Sequence, residues 1–355
     1  MISRPGLEGL QSYSAGIPET DFDIKMDNNE RPANLPAEVR LKVLEALAGM
    51  QFHRYPDMTT KGLRTKIAAA YGAMPDQVLI GNGSSQLLEA MCYAFGGPGR
   101  SIVYPVPSFS MYATYVKLSD SVAVPVPLEQ DFSLSPDKVL AAARDSKASL
   151  ILLCNPNNPT GTVMKAADIE TIVSGASCPV VVDEAYMEFY GQSALSLLPT
   201  YPNLIIARTF SKAYGLASTR VGYLLTAPAL TGLIGKVLLP YHMNALSLAV
   251  AEVVFDCREA FVLGMEKTVS ERKRLAHELQ RWPDVAVFPS ETNFLLVSSP
   301  RAGDLAAFLA GRSIAIRDYS QAAGRLAGCL RISVGTEEEN NQLLQAVIDC
   351  FEVRP

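Results

Sequence analysis

Seven short apolar runs, most of them separated by segments of helical periodicity, most constrain how this chain folds. They cover residues 78–80, 101–104, 121–126, 150–154, 179–182, 204–207 and 221–225. Uninterrupted apolar runs of this length are typical of strands that are buried on both faces, as in a mostly parallel sheet between two layers of helices. The pattern therefore predicts a large α/β domain.

Beyond about residue 240 the pattern changes. A long helical stretch is followed by four shorter strand-like runs and a closing amphipathic helix, which together predict a smaller α+β domain. The long helix is predicted at 244–282, the strands at 285–288, 293–297, 314–317 and 330–334, and the last helix at 337–351.

The chain is therefore predicted to have three parts. Residues 1–35, rich in Pro, Asn and Gly, are expected to form an N-terminal arm that packs on the small domain or on a partner subunit. Residues 36–245 are expected to form the large domain and residues 246–355 the small one. A length of 355 residues exceeds the usual size of a single hydrophobic core, in agreement with this division.

Composition excludes several classes of protein. With 48% apolar and 19% charged residues the chain is typical of a soluble globular protein, and its net charge of −5 argues against nucleic acid or an anionic membrane as the main partner. The apolar runs are too short to cross a bilayer. The first residues lack the apolar core of a secretory signal, so the cytoplasm is the expected location.

Cysteines and histidines give no metal-binding pattern. The six cysteines form no C-x-x-C pair, and none of the three histidines is spaced for shared ligation with another histidine or a cysteine. We expect buried free thiols and no protein-bound catalytic metal.

Polar groups follow several of the predicted strands, and in a doubly wound sheet ligands collect at the carboxyl ends of the strands. The turn at 81–85 combines glycines and serines before a helix, as a phosphate site requires. Phe109 or Tyr112 could lie flat against an aromatic ligand. The turn at 155–161 contains two Asn-Pro pairs and can aim the amide of Asn158.

Asp183 and Lys212 complete this set. A carboxylate at the end of a buried strand needs a cation or several donors, and a protonated pyridine nitrogen would serve Asp183. Tyr186 is near enough in sequence to reach the same ring. Lys212 lies between two arginines after a buried strand; burial and cationic neighbours lower a lysine pKa, and the neutral amine forms a Schiff base with an aldehyde. Ser211 and Arg220 could hold a dianion beside it.

These motifs resemble those of the fold-type-I, pyridoxal-5′-phosphate-dependent aminotransferases, and within them the histidinol-phosphate aminotransferase family. The resemblance extends over nearly the whole chain and implies a large domain with a mostly parallel sheet between helices, plus a smaller α+β domain. It is carried by residues 54–57, 81–84, 155–161, 183–186, 208–220, 240–244, 292–294 and 330–336.

The resemblance also implies roles around the cofactor. Lys212 would bind it covalently and later move a proton at the substrate's α carbon. Asp183 would keep the ring nitrogen protonated, Asn158 and Tyr186 would donate to the phenolate oxygen, and Phe109 would stack on the ring. The phosphate cradle would comprise Gly83, Ser84, Ser85, Ser211 and Arg220, together with Tyr55 of the neighbouring subunit of a homodimer.

For the substrate, the resemblance assigns an anion to Arg331, whose forked guanidinium suits carboxylate or phosphate oxygens. Arg317, Tyr13 and Asn158 would assist it; a surface ion pair with Asp318 is the alternative for Arg317. The chain departs from the family at 27–32, where it reads Asp-Asn-Asn-Glu-Arg-Pro and the family often has Asn-Glu-Asn-Pro-Tyr-Gly. It also has Ser-Gln at 85–86 where Asp-Glu is frequent.

The activity implied is transfer of an amino group between L-histidinol phosphate and 2-oxoglutarate, which gives imidazole-acetol phosphate and L-glutamate, in histidine biosynthesis. Three alternatives stay open. They are an aromatic amino acid aminotransferase, a lyase similar to threonine-phosphate decarboxylases, and a pyridoxal-phosphate-binding regulator without turnover.

Overall fold

The computed structural model describes residues 22–352, which form two sheets and the helices that pack on them. The strands are β1 (Ile24–Met26), β2 (Val78–Asn82), β3 (Ser101–Val106), β4 (Val122–Pro127), β5 (Ala148–Cys154), β6 (Val180–Asp183), β7 (Leu204–Thr209), β8 (Val221–Thr226), β9 (Ala286–Val287), β10 (Phe294–Ser298), β11 (Ile314–Tyr319) and β12 (Cys329–Ser333). The helices are α1 (Ala37–Ala48), α2 (Lys61–Tyr71), α3 (Gly83–Phe95), α4 (Met111–Leu118), α5 (Pro136–Asp145), α6 (Ala166–Gly175), α7 (Met187–Tyr190), α8 (Pro228–Gly235), α9 (Ala245–Asp256), α10 (Val262–Leu279), α11 (Ala302–Gly311) and α12 (Glu337–Glu352).

The larger sheet has seven strands in the order β2-β8-β7-β6-β5-β3-β4. Within this sheet β8 runs in the opposite direction to the other six strands. Along β5, Ile151 and Leu153 join one hydrophobic core while Leu150 and Leu152 join another. Successive side chains of a strand point to opposite faces, so this sheet is buried on both sides. The predicted α/β domain with a mostly parallel sheet is confirmed.

The smaller sheet has the order β1-β11-β12-β10-β9. Strand β1 pairs parallel with β11, and the other pairs are antiparallel. A separate core lies under this sheet and includes Leu275, Leu309 and Val347 from the helices. Because β1 belongs to the segment predicted as an arm, at least this part of the segment lies against the second sheet.

The single long helix predicted at 244–282 is wrong. The structure has α9 and α10, separated by a 3₁₀ turn at Arg258–Phe261. Phe255 on α9 and Phe261 in the turn are buried in the core of the larger sheet, whereas Leu275 and Leu279 on α10 are buried in the core of the smaller one. The chain turns between them because the two apolar segments face different cores. We therefore propose that the domain boundary lies after Phe261 rather than at 245.

Within residues 22–352, no helix is long and apolar enough to span a membrane. The same residues contain no group of three or more His, Cys, Asp or Glu side chains placed to hold a metal ion.

Candidate active site

A cavity of about 220 Å³ lies where the carboxyl ends of the parallel strands face β11 and β12 of the smaller sheet. It collects most of the side chains that the sequence predicted for the site. Those that line it are Ser84, Ser85, Phe109, Asn158, Asp183, Tyr186, Ser211, Lys212, Arg220, Arg317 and Arg331.

Two of the described residues predicted for the site, Gly83 and Tyr55, do not line the cavity. Gly83 is the first residue of α3, next to the cavity-lining Ser84. Tyr55 does not line the cavity; its side chain is 82% exposed, and its ring stacks on that of Tyr241 with 4.6 Å between centroids. Tyr13 lies outside the described residues.

Lys212 follows β7, and its Nζ donates a hydrogen bond to the backbone oxygen of Asn28 at 2.7 Å. Burial lowers the pKa of this amine to about 7, and the positive charges of Arg331 and Arg220 act in the same direction. An appreciable fraction of Lys212 is therefore neutral near pH 7, which is the form that attacks an aldehyde.

Asp183 ends β6 and is 3% exposed. The Tyr112 hydroxyl donates to its Oδ2 at 3.0 Å, and the backbone N–H of Ala185 donates to Oδ1 at 3.2 Å. Burial raises the pKa of the carboxyl to about 6, against the lowering effect of these two donors. A cationic ring nitrogen beside Asp183 would favour its ionised form. From the sequence, Tyr112 was predicted only as a ring that could stack on a ligand.

The start of α3 lies beside the Arg220 guanidinium. Gly83 has φ of +76°, and a Cβ atom there would lie 2.7 Å from the Arg220 Nη2 atom. A Cβ on Gly222 would lie 2.2 Å from the backbone nitrogen of Ser84. Because neither glycine has a Cβ atom, the Arg220 guanidinium and strand β8 can lie close to the N-terminus of α3. Helix-terminal N–H groups, the nearby serine hydroxyls and Arg220 together suit a phosphate.

Arg331, on β12, is 7% exposed and points into the cavity. Its Nη1 donates to Asn158 Oδ1 at 2.7 Å, and its Nη2 donates to the Asp27 backbone oxygen at 2.5 Å. The buried Nε has no hydrogen-bond partner among the described residues. A buried unpaired donor on a cation is expected to bind an anion. Arg317 lies on the cavity wall with its guanidinium 5.9 Å from the ring centroid of Tyr319.

The segment 27–29 contacts three site residues that lie far away in the sequence. Besides the carbonyl contacts of Asp27 and Asn28 described above, the Asn29 amide donates to the Tyr186 hydroxyl at 2.9 Å. From the resemblance to the family, this segment was expected near the substrate entrance, but none of these three contacts was predicted. The polar run Asp-Asn-Asn after a short strand was the available signal.

Comparison with known proteins decides the family. The sequence model of the family described as aminotransferase class I and II matches residues 23–347. The histidinol-phosphate aminotransferase of Thermoanaerobacter sp. (strain X514) is 37% identical over 98% of this chain and 97% of its own length. That of Thermococcus gammatolerans is 36% identical over 96% of this chain and 95% of its own. The chain belongs to the histidinol-phosphate aminotransferase family.

Solved structures agree with this family. The crystal structure of histidinol-phosphate aminotransferase from Sinorhizobium meliloti, in complex with pyridoxal-5′-phosphate, superposes with a TM-score of 0.89 at 25% identity and covers 99% of this chain and 98% of that one. Aspartate aminotransferase from Thermotoga maritima shares the fold, with a TM-score of 0.81 at 19% identity over 93% and 92% of the two chains. The predicted fold type I and the predicted cofactor are confirmed, and this protein is a pyridoxal-phosphate-dependent aminotransferase.

The residues present fit pyridoxal phosphate. The cavity offers a partly neutral amine for the aldehyde, at Lys212, and a buried carboxyl for the ring nitrogen, at Asp183. The cradle at Gly83 and Arg220, whose close approach a Cβ would prevent, suits the phosphate. Asn158 accepts from Arg331 through its Oδ1, which leaves its Nδ2 as a donor for the phenolate oxygen.

Proposed function

We propose that this aminotransferase acts on L-histidinol phosphate and 2-oxoglutarate, with imidazole-acetol phosphate and L-glutamate as the products, in histidine biosynthesis. The observation that carries the proposal is Arg331, a buried guanidinium on the wall of the cavity that holds Lys212 and Asp183. Its Nε has no hydrogen-bond partner among the described residues. The names of the relatives, which are 33–37% identical to this chain, support the same substrate.

Each residue of the site has a distinct role in this proposal. When bound, pyridoxal phosphate supplies an electron sink for charge at the substrate's α carbon. Lys212 binds the cofactor and, once displaced by substrate, accepts and returns the α proton. Asp183 pairs with the ring nitrogen, and Asn158 and Tyr186 donate to the phenolate oxygen. Phe109 lies against the ring, while Ser84, Ser85, Ser211 and Arg220 hold the phosphate.

The two arginines on the smaller sheet explain how one site accepts two substrates. Arg331 binds the phosphate of histidinol phosphate in one half-reaction and a carboxylate of glutamate in the other, since its fork fits both anions. Arg317, on the neighbouring strand, assists it on the cavity wall. Tyr13 is proposed as a further helper from the sequence alone.

We also propose a homodimer in which Tyr55 reaches the partner's cofactor phosphate. Tyr55 is exposed beside other large apolar side chains, and exposed apolar patches mark interaction surfaces. The exposed residues near it in the sequence are Phe52 and Met58, and its stacking partner Tyr241 follows the exposed Leu239. A cytoplasmic location stays a prediction from the sequence.

A half-reaction screen tests the substrate. The cofactor-loaded enzyme is mixed with L-histidinol phosphate, L-glutamate, L-phenylalanine or L-threonine phosphate, and the loss of the cofactor–lysine absorption is followed. We expect histidinol phosphate and glutamate to react fastest, and Arg331→Ala to slow both. Faster reaction with phenylalanine would identify an aromatic aminotransferase, and release of CO₂ from threonine phosphate would identify a lyase.

A lack of reaction with every amine would favour a regulator. Lys212→Ala is the control without the covalent linkage.

A further inference from the structure

A buried hydrogen-bond chain joins β12 to Tyr186 through Asn29. The Ser333 hydroxyl donates to Asn29 Oδ1 at 3.1 Å, and Asn29 Nδ2 donates to the Tyr186 oxygen at 2.9 Å. The backbone N–H of Asn29 also donates to Ser333 Oγ at 2.9 Å. All three residues are at most 3% exposed. In this arrangement Asn29 Oδ1 faces Ser333 and Asn29 Nδ2 faces the tyrosine.

The contact with Asn29 determines what Tyr186 can do in the cavity. The phenol oxygen already accepts a hydrogen bond from the amide, so the single O–H hydrogen is left to donate to a different group. The ring is held edge-on against Phe294, with centroids 5.2 Å apart and planes at 84°. Tyr186 also lines the cavity. An accepted hydrogen bond polarises the O–H and makes it a stronger donor.

The position of Asn29 is fixed on its backbone as well. Its φ of +54° lies in the left-handed region, which asparagine tolerates better than most residues. Its carbonyl accepts from Asn293 Nδ2 at 3.0 Å. The backbone N–H and C=O of Asn29 are thus both hydrogen-bonded. Its side-chain amide bonds to Ser333 and Tyr186.

We propose that Asn29 is a positioning residue that commits the Tyr186 hydroxyl to donate to the phenolate oxygen of the cofactor. The proposal rests on the proposed role of Tyr186 and extends it to a residue of the N-terminal segment. Asn29 also lines the cavity, and the role proposed for it is exerted through Tyr186.

Asn29→Gly tests the proposal, because glycine adopts a positive φ without strain and keeps both backbone contacts. The measurement is the pKa of the cofactor–lysine linkage, from a pH titration of its absorption without substrate. A weaker donor to the phenolate disfavours the unprotonated linkage, so this pKa should rise by about half a unit, as expected for part of one hydrogen bond. Ser333→Ala, which frees the amide, should shift it in the same direction.

The matched control is Asn34→Gly, which removes an exposed amide of the same segment whose Oδ1 accepts from Leu35. It should leave the titration unchanged. Thermal unfolding of each variant confirms that it is folded.

A double mutant tests the role of Tyr186 and the role of Asn29 separately. In a Tyr186→Phe background, Asn29→Gly should add no further shift, since its target hydroxyl is gone. If Tyr186→Phe alone leaves the linkage pKa unchanged, the role of Tyr186 itself is wrong. If Tyr186→Phe shifts the pKa but Asn29→Gly does not, or if the two shifts add fully, then Asn29 does not act through Tyr186 and the inference is overturned.

Discussion

At the scale of single residues, the charge on Asp183 depends on Tyr112, which lies far from it in the sequence. The Tyr112 hydroxyl donates to the carboxylate, and this bond lowers the carboxyl pKa against the opposing effect of burial. The ring of Tyr112 is fully buried and packs edge-on against Phe109 at 5.5 Å. Tyr112 therefore connects the proposed partner of the ring nitrogen with the proposed stacking residue.

Tyr112→Phe should raise the pKa of Asp183 further, because the phenyl ring keeps the packing and loses the donor. A carboxyl that is protonated at higher pH pairs less well with a ring cation, so the acid limb of the kcat profile should move to higher pH, and kcat near pH 7 should fall roughly fivefold. Cofactor affinity should change less, since the phosphate contacts remain. The control is Tyr104→Phe, which removes a hydroxyl from a buried ring next to Tyr112. An unchanged profile in Tyr112→Phe would exclude this contribution.

The sequence predicted which residues would meet in the cavity but not which of them hold each other. Asp183 ends a strand, and Asn158 and Lys212 each follow one. Parallel strands bring their carboxyl ends to one edge, so the convergence of these residues follows from topology. The bond from Tyr112 to Asp183 joins positions 71 residues apart, and that from Asn29 to Tyr186 joins positions 157 apart. Such pairs depend on side-chain directions after packing, which no local pattern in one sequence encodes.

At the scale of helices and strands, the buried strands were predicted well and several helices were missed. Helix α1 buries Val39 and Val43, yet its Leu41 and Leu44 are 67% and 58% exposed. Apolar residues on both sides of a helix hide the periodicity that identifies its buried face. The strands of the larger sheet are buried on both faces, so their uninterrupted apolar runs gave a signal that needed no tertiary information.

The short helix α7 contains a carboxyl group that makes the fold sensitive to pH. Burial raises the pKa of Glu188 to about 7, although the charge of Arg208 opposes this. Its Oε2 has no hydrogen-bond partner among residues 22–352. The folded state thus keeps the proton up to about pH 7, while the unfolded chain releases it near its ordinary pKa of 4.5. Between these values, rising pH favours the unfolded state.

Glu188→Gln should therefore stabilise the protein at pH 8, by on the order of 2 kcal/mol, and have little effect at pH 4. The advantage should grow between about pH 4.5 and 7, which denaturant unfolding at a series of pH values would reveal. Glu45→Gln, a change at an exposed carboxyl of α1, is the control and should show no such trend. A glutamine variant that is equally or less stable at pH 8 would contradict the raised pKa.

At the scale of the whole molecule, the site is assembled from two sheets and the N-terminal segment. Lys212 and Asp183 come from the larger sheet, Arg331 and Arg317 from the smaller one, and Asn28 from the segment after β1. The relative placement of two separately packed cores depends on the contacts between them. The residues of the cavity could therefore be predicted from the sequence, but not how the two sheets meet around it. Tyr55 lies on the surface of the described chain and outside the cavity, so the role proposed for it requires a second copy of the chain.

Hybrid dimers test whether Tyr55 acts across the interface. Lys212→Ala lacks the covalent lysine and Tyr55→Ala lacks the phosphate contact, so each homodimer should be impaired. In a hybrid, the subunit that keeps Lys212 receives an intact Tyr55 from its partner and forms one complete site. Random reassortment of the two variants should therefore restore about one quarter of the wild-type activity. If Tyr55 served its own subunit, both sites of the hybrid would carry a defect and mixing would restore nothing. A Tyr55→Ala homodimer as active as the wild type would remove Tyr55 from the site altogether.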